Sequence, residues 1–128
     1  MTKFQATIQE FRDSVEELAQ VLQKPKDEFM RDSAIKRFEL AFDLSWKAIK
    51  AFLEEKGVFC VSPLGCFKES YRQGLIEFEE AWVEMVKTRN KTAHTYDEKL
   101  AEEVYNNLPQ TLIMFKKLAA AFEKNKSV

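Results

Sequence analysis

Apolar side chains recur every three or four residues through nearly the whole chain, which is the spacing of one face of an α-helix. Only three glycines and three prolines interrupt 128 residues, whereas phenylalanine occurs 11 times. Few helix breakers and many large apolar side chains are typical of closely packed helices. The sequence therefore predicts an all-α fold, an up-and-down antiparallel bundle of four or five helices, with residues 1–128 forming a single domain.

The predicted helices are Phe4–Leu22, Phe29–Lys56, Ser62–Gly74, Phe78–Asn90 and one that begins at Thr95 and continues to Phe122. Ser62 and Pro63 fit the N-cap and first position of the third helix. Thr95 and Glu98 fit a capping box at the start of the fifth, and Pro109 is expected to kink or interrupt that helix. The side chains expected to point inward from the fourth helix are Phe78, Trp82, Met85 and Val86.

Composition and charge exclude several classes of protein. The net charge of −1 argues against a general nucleic-acid coating protein, although it leaves room for a local basic pocket. No apolar run is long enough to span a membrane, and the N-terminus lacks the apolar core of a signal peptide, so we expect a cytoplasmic protein. Five residues separate Cys60 from Cys66 and the lone histidine is distant, so we expect free thiols, no metal site and no cofactor.

The most informative stretch for function is residues 89–96, RNKTAHTY, which holds the only histidine in the chain. Arginine binds phosphate oxygens through two parallel hydrogen bonds. A histidine side chain takes up or releases a proton near neutral pH. One arginine and one histidine are the minimum set for work on a phosphodiester without a metal, so Arg89 and His94 are candidate catalytic residues.

Helical spacing favours a common location for the polar groups of this stretch. Arg89 follows Trp82 by seven positions, His94 falls in a turn, and Tyr96 opens the fifth helix on its apolar stripe. The unpaired N–H groups of a helix start would favour an anion there. The same spacing also fits a purely structural role, in which Arg89 caps carbonyls, His94 bonds within the turn and Tyr96 is a half-buried core aromatic.

Two further polar residues are candidate supporting residues. Glu39 lies at the margin of the apolar arc of the second helix, where a carboxylate needs a cation, and Arg89 or Arg37 could supply it. We interpret Glu39 as an ion-pair partner in preference to a catalytic acid, and we expect Asp43 on a solvated face. Asn90 could bind RNA or simply end the fourth helix.

The pattern Arg89-(four residues)-His94-Thr95-Tyr96 resembles the RX4HXY signature of HEPN domains. Other stretches resemble the branch of nucleotidyltransferase substrate-binding proteins. They are residues 37–47 (RFELAFDLSWK), Ser62-Pro63, residues 74–76 (GLI), and Trp82 with Met85 ahead of Arg89-Asn90. The resemblance covers roughly residues 4–122.

This resemblance implies an up-and-down helical bundle that forms a homodimer, with the two Arg/His motifs in a cleft at the interface. It implies that Arg89 and His94 are the catalytic pair and that Asn90 is the polar position after the arginine. It also implies that Tyr96 accepts AMP from a minimal nucleotidyltransferase, commonly encoded by the neighbouring gene.

Three roles stay open at this level. The first is a metal-independent endoribonuclease toxin of a two-gene toxin–antitoxin module, with RNA as substrate and AMPylation as its neutralisation. The second is a non-catalytic subunit that binds substrate or nucleotide for the nucleotidyltransferase. The third is a structural bundle with a degenerate motif.

Overall fold

The structure, a computed structural model, describes residues 2–125, which form five α-helices and one short 3₁₀ helix. The helices are α1 (Lys3–Leu22), α2 (Glu28–Glu54), α3 (Pro63–Arg72), α4 (Glu79–Lys91) and α5 (Glu98–Lys124), and the 3₁₀ helix is Thr92–His94. α2 is central, because it packs against α1, α3 and α5. The predicted all-α bundle is confirmed, and residues 2–125 contain no strand.

Short polar side chains begin each of the first three helices by capping their unpaired backbone N–H groups. Thr2 and Gln5 form a reciprocal capping box at α1. The Asp27 carboxylate accepts from the Met30 N–H at 2.7 Å at α2. The Ser62 hydroxyl accepts from the Gly65 N–H at 3.1 Å at α3, so the predicted N-cap of the third helix is confirmed.

Glycines with positive φ angles end α2 and α3. Gly57 and Gly74 have φ angles of 77° and 76°, a left-handed conformation that glycine adopts without a Cβ clash. The next N–H in each case, that of Val58 or Leu75, turns back to a carbonyl five residues earlier, at 2.9 Å. These stops set the short connections that let α3 fold back onto α2.

The core is built from aromatic rings contributed by several helices. Phe115 of α5 lies at its centre and contacts Phe11 of α1, Phe38 of α2 and Trp82 of α4, with ring centroids 5.7–6.3 Å apart. All four side chains are buried. The apolar face of α4, with Trp82, thereby packs into the core, and this packing fixes the direction in which the last turn of α4 points. None of the helices between residues 2 and 125 combines the length and apolar character needed to cross a bilayer.

Two local predictions in the second half of the chain are wrong. Asp97, not Thr95, caps α5, accepting from the N–H groups of Lys99 and Leu100 at 2.9 and 3.3 Å. Phe78 does not point inward, since it is the residue before α4 and its side chain is 69% exposed. Of the two effects predicted for Pro109, a kink or an interruption, the interruption does not occur, because α5 runs through Pro109. Pro109 faces solvent, where water can bind the carbonyl that lacks its N–H donor.

A disulfide joins Cys60 to Cys66, so the prediction of free thiols is wrong. Cys60 lies in the connector after α2, and Cys66 lies on the first turn of α3, which begins between them with Ser62 as its N-cap. Their Cα atoms are 5.1 Å apart, within the range that a disulfide requires. Both residues are buried, and the bridge fixes the angle at which α3 leaves the connector.

Candidate functional site

Arg89 lies on the last turn of α4 and faces α2. Its Nη1 lies 3.3 Å from Glu39 Oε2 and its Nη2 lies 3.5 Å from Asp43 Oδ2. Nη1 also donates to the Thr92 hydroxyl at 2.8 Å, and that hydroxyl donates to the Arg89 carbonyl at 2.6 Å. The Thr92 hydroxyl therefore lies closer to the guanidinium than either carboxylate does.

The guanidinium of Arg89 has incomplete hydrogen bonding. Its Nε is buried and has no hydrogen-bond partner among residues 2–125. Charge-assisted N–H···O bonds are usually about 2.7–2.9 Å long, so the carboxylate distances of Glu39 and Asp43 are long ones. A cation held this loosely, with its side chain 27% exposed, keeps capacity for an added anion.

The segment after α4 folds on itself before α5 begins. The Thr95 hydroxyl donates to the Thr92 carbonyl at 3.2 Å, and the Asp97 N–H donates to the His94 carbonyl at 3.0 Å. The Thr95 side chain is therefore engaged with the 3₁₀ turn and is unavailable to cap α5. Because the Asp97 carboxylate occupies the first amides of α5, the helix start predicted as an anion site already holds an anion.

His94 and Tyr96 form a pair on the surface of this segment. His94 Nδ1 lies 3.3 Å from the Tyr96 hydroxyl, and the rings meet edge to face with centroids 5.9 Å apart. Tyr96 is 83% exposed, so the prediction that it lies on the apolar stripe of α5 is wrong. It precedes the Asp97 N-cap, which releases its ring from the helix face and leaves the phenol open to a large reactant.

Two adjacent hollows lie along α2 beside these groups. The first, the Arg89 hollow, encloses about 480 Å³ and is lined by Ser33, Lys36, Arg37, Glu39, Leu40, Asp43 and Arg89. The second, the Tyr96 hollow, encloses about 330 Å³ and is lined by Asp32, Ile35, Lys36, Glu39, Thr95 and Tyr96. The two hollows share Lys36 and Glu39, so they form one strip of mixed charge between the motif and α2.

The structure thus gathers the predicted site residues into two groups. Glu39 pairs with Arg89, as one of the two predicted alternatives had it, while His94 pairs with Tyr96. No hydrogen bond, ion pair or ring contact in the described part of the chain joins Arg89 directly to His94. Asn90 is exposed on the last turn of α4. A substrate that engages both Arg89 and His94 therefore has to bridge the groups.

Asp43 and Arg31 are polar residues near the site whose contacts the sequence interpretation missed. Asp43 does not face solvent alone, because it lies one helical turn after Glu39 and reaches the same guanidinium. Arg31 is buried, and its guanidinium forms two hydrogen bonds with the Glu98 carboxylate at the start of α5, at 2.7 and 3.2 Å. This contact raises the pKa of Arg31 and lowers that of Glu98 below its ordinary value. The sequence feature that could have indicated the buried Arg31 is its position four residues before Ile35, on the apolar face of α2.

Comparisons with known proteins place this arrangement in a family. A family model described as nucleotidyltransferase substrate binding protein like matches residues 1–124. The chain belongs to this family. The chain is also similar to a probable ribonuclease HepT of Haemophilus influenzae, 34% identical over 86 residues. That match covers 62% of this chain and 58% of the relative, so it spans less than two thirds of the relative's length.

Two solved structures share the fold of this chain. A crystal structure of a Thermus thermophilus protein has a TM-score of 0.80 and 32% identity, covering 86% of this chain and 96% of that one. A Haemophilus influenzae protein, described as revealing the fold of a substrate-binding domain of a nucleotidyltransferase, has a TM-score of 0.70 and 25% identity. That likeness covers 94% of this chain and 96% of that one.

Proposed function

We propose that a homodimer of this HEPN-family chain is a metal-independent endoribonuclease, the toxin of a two-gene module that acts in the cytoplasm. The observation that carries the proposal is an incompletely bonded Arg89 guanidinium beside a hollow, five positions before the exposed His94–Tyr96 pair. The name of the Haemophilus relative, a probable ribonuclease, supports the same class of reaction.

The reaction needs a base and an acid, and one chain holds a single histidine. A two-fold dimer supplies two, because its interface presents the same patch from both subunits. One His94 takes the proton of a ribose 2′-hydroxyl, whose oxygen attacks the adjacent phosphorus. The bond from phosphorus to the 5′-oxygen breaks, and the His94 of the other subunit protonates that oxygen. The products are a 2′,3′-cyclic phosphate and a 5′-hydroxyl.

Arg89 stabilises the negative charge that develops on the phosphorus oxygens. Its planar guanidinium suits two of these oxygens at once, and the phosphate then replaces the long contacts with Glu39 and Asp43. Asn90, exposed beside it, is placed to donate to the RNA backbone. DNA lacks the 2′-hydroxyl, so it is not a substrate for this reaction.

We further propose that a minimal nucleotidyltransferase from the same module silences the enzyme by AMPylating Tyr96. The phenol oxygen attacks the α-phosphorus of ATP, pyrophosphate leaves, and the phenol proton passes to His94 or to water. The exposure of Tyr96 supports its access to a second protein. The adduct places bulk and negative charge beside His94, which excludes an RNA phosphate.

A second candidate function is a non-catalytic subunit that binds substrate or nucleotide for the nucleotidyltransferase. The observation that favours it is the pairing of Arg89 with two carboxylates, which lowers the positive potential available to RNA. The description of the Haemophilus structure as a substrate-binding domain points the same way. In this role the mixed-charge strip along α2 binds a nucleotide, and His94 has no chemical task.

The deciding experiment is RNA cleavage by the purified protein in EDTA. We expect wild type to cleave RNA but not DNA, His94→Ala and Arg89→Gln to lose cleavage, and Lys116→Ala to retain it. Lys116 is an exposed cation far along α5, so its variant controls for a general loss of positive charge. Arg72→Gln, on the exposed surface of α3, is the matched control for Arg89→Gln.

The contrary result is equally clear. In that result the wild type does not cleave RNA at high protein concentration, while its complex with the nucleotidyltransferase binds nucleotide. The role of a non-catalytic subunit then replaces that of a nuclease. Equal cleavage by wild type and His94→Ala would remove His94 from the mechanism.

A further inference from the structure

Arg31 is a buried cation that pairs with Glu98, two positions after Tyr96. It lies on the first turn of α2, and its side chain is only 5% exposed. Its two terminal nitrogens meet the two oxygens of Glu98 at 2.7 and 3.2 Å, and its Nε donates to Asp32 Oδ1 at 3.1 Å. Glu102, one turn further along α5, lies 4.0 Å away and also pairs with Lys26.

These contacts fix both boundaries of the Tyr96 hollow. Glu98 is the first residue of α5 and follows Tyr96 by two positions, so its attachment to Arg31 sets where the segment 92–97 ends. Asp32 lines the hollow on the α2 side, opposite Thr95 and Tyr96. One guanidinium therefore ties the start of α5 and a wall of the hollow to the same turn of α2.

Stability alone does not account for a buried arginine at this position. Removing a guanidinium from water is costly, and an apolar side chain of similar volume often stabilises a fold at least as well. The arginine adds a fixed orientation of its partner, because the planar guanidinium binds a carboxylate through two parallel hydrogen bonds in one geometry. Position 31 continues the stripe of Ile35 and Phe38, where an apolar residue would otherwise be expected.

We propose that Arg31 is a positioning residue, which, through Glu98, holds the segment carrying His94 and Tyr96 against α2, and which orients Asp32 on the facing wall of the hollow. The effect of Arg31 on catalysis rests on the proposed nuclease function. Arg31 touches no reacting atom and acts only through the orientation of these two side chains. A displacement of catalytic groups by about 1 Å costs on the order of a hundredfold in rate, so such a residue matters to the reaction.

The first test uses the lone histidine as a reporter. The ring signals of His94 are the only imidazole signals of the chain, so proton–carbon NMR reads its environment without assignment. We expect Arg31→Lys and Glu98→Gln to shift or broaden these signals. Arg12→Lys is the matched control, because it alters a second arginine–glutamate pair, with Glu123, at the opposite end of α5. Arg12→Lys should leave the His94 signals unchanged.

The second test separates positioning from folding. In the cleavage assay Arg31→Lys should lower kcat about tenfold with KM within about twofold, because RNA contacts persist while the catalytic groups are misaligned. The double variant Arg31→Lys/Glu98→Gln should lose no more than Arg31→Lys alone, since both act through one contact. Thermal unfolding of each variant confirms that the native fold is populated.

Failure of this proposal and failure of the proposed function give different results. If wild type cleaves no RNA, the nuclease is wrong, but the NMR comparison still decides whether Arg31 positions His94. If His94 signals in Arg31→Lys and Glu98→Gln match those of wild type, the positioning role is overturned, whatever the cleavage result.

Discussion

The Arg89 guanidinium lies 3.3 Å from the Glu39 carboxylate, an ion pair that joins the end of α4 to the middle of α2. Asp43 approaches the other terminal nitrogen at 3.5 Å. Because all three side chains are partly exposed, solvent screens these contacts and their contribution to folding is small. In the proposed nuclease their larger effect is on the electrostatic potential that Arg89 offers to an RNA phosphate.

Glu39→Gln should therefore tighten RNA binding, by roughly threefold, because a negative charge beside the phosphate site is removed. The free energy of unfolding should fall by no more than about 1 kcal/mol. Fluorescence anisotropy with labelled RNA, in a His94→Ala background that prevents cleavage, measures the affinity. Glu69→Gln, which breaks an ion pair with Arg72 within α3, is the control. Weaker binding by Glu39→Gln would mean that the carboxylate orients Arg89 for RNA.

Tyr96→Phe should abolish AMPylation while leaving the free energy of unfolding within about 0.5 kcal/mol of wild type, because the phenol is exposed. Intact mass after incubation with the nucleotidyltransferase and ATP measures the adduct. Tyr71→Phe removes another exposed phenol, on α3, and should still be modified. An adenylate mass that persists in Tyr96→Phe would place the acceptor elsewhere.

Phe115→Ala should destabilise the bundle by about 3–5 kcal/mol, since it removes a fully buried ring that contacts three other helices. Urea unfolding followed by circular dichroism measures this loss. Phe59→Ala, at a side chain that is 74% exposed, should change stability by no more than about 0.5 kcal/mol. A similar loss for both variants would contradict the aromatic core described above.

Stability should fall in acid through the Arg31–Glu98 contact. Arg31 lowers the pKa of Glu98 in the folded protein, so the folded state binds this proton less readily than the unfolded state does. The stabilisation is therefore complete above the ordinary glutamate pKa of 4.5 and is lost as the pH falls through the lower, folded value. Glu98→Gln should show a smaller drop in melting temperature below pH 4.5 than wild type. An identical pH dependence would show that the contact does not form in solution.

Reduction should loosen the junction between α2 and α3. The Cys60–Cys66 bridge closes a short loop, with a sequence separation of 6, so the loop-entropy model gives it about 2 kcal/mol of stabilisation. Thermal unfolding with and without a reducing agent measures the difference, and a thiol count under native conditions reports the redox state. Cys60→Ser/Cys66→Ser should match the reduced wild type and be insensitive to the reductant. Two free thiols in the untreated protein would contradict the bridge.

The helices could be predicted from the sequence because burial imposes a helical period on the chain. Trp82 and Met85 are buried where that period places them, and Ser62 caps α3 as its position before Pro63 indicates. The pairing of Glu39 with Arg89 was among the predicted alternatives, because a carboxylate at the edge of an apolar face needs a cation.

The cap of α5, the exposure of Tyr96, the disulfide and the Arg31–Glu98 contact could not be predicted in this way. They depend on which of several nearby groups bond to one another, and the helical spacing of apolar residues does not decide that. Thr95 and Asp97 are both good N-cap residues and lie two positions apart. The Thr95 hydroxyl donates to the Thr92 carbonyl of the 3₁₀ turn, which leaves Asp97 to cap α5. That shift of two positions is enough to move Tyr96 from a helix face to the surface. Cys60 and Cys66 meet only because α3 starts between them, and Arg31 finds Glu98 across 67 positions of sequence.

The sharing of one guanidinium by Glu39 and Asp43 has a consequence for how this family can vary. Because the two carboxylates lie one turn apart on α2, the loss of either leaves Arg89 with a counter-ion. Substitutions at positions 39 and 43 are thus individually mild, so each can vary while the other is retained. Among residues 2–125, no second cation pairs with Glu39 or Asp43 that could replace Arg89 in this contact. We therefore expect substitutions to be tolerated at position 39 or position 43 and to be selected against at position 89.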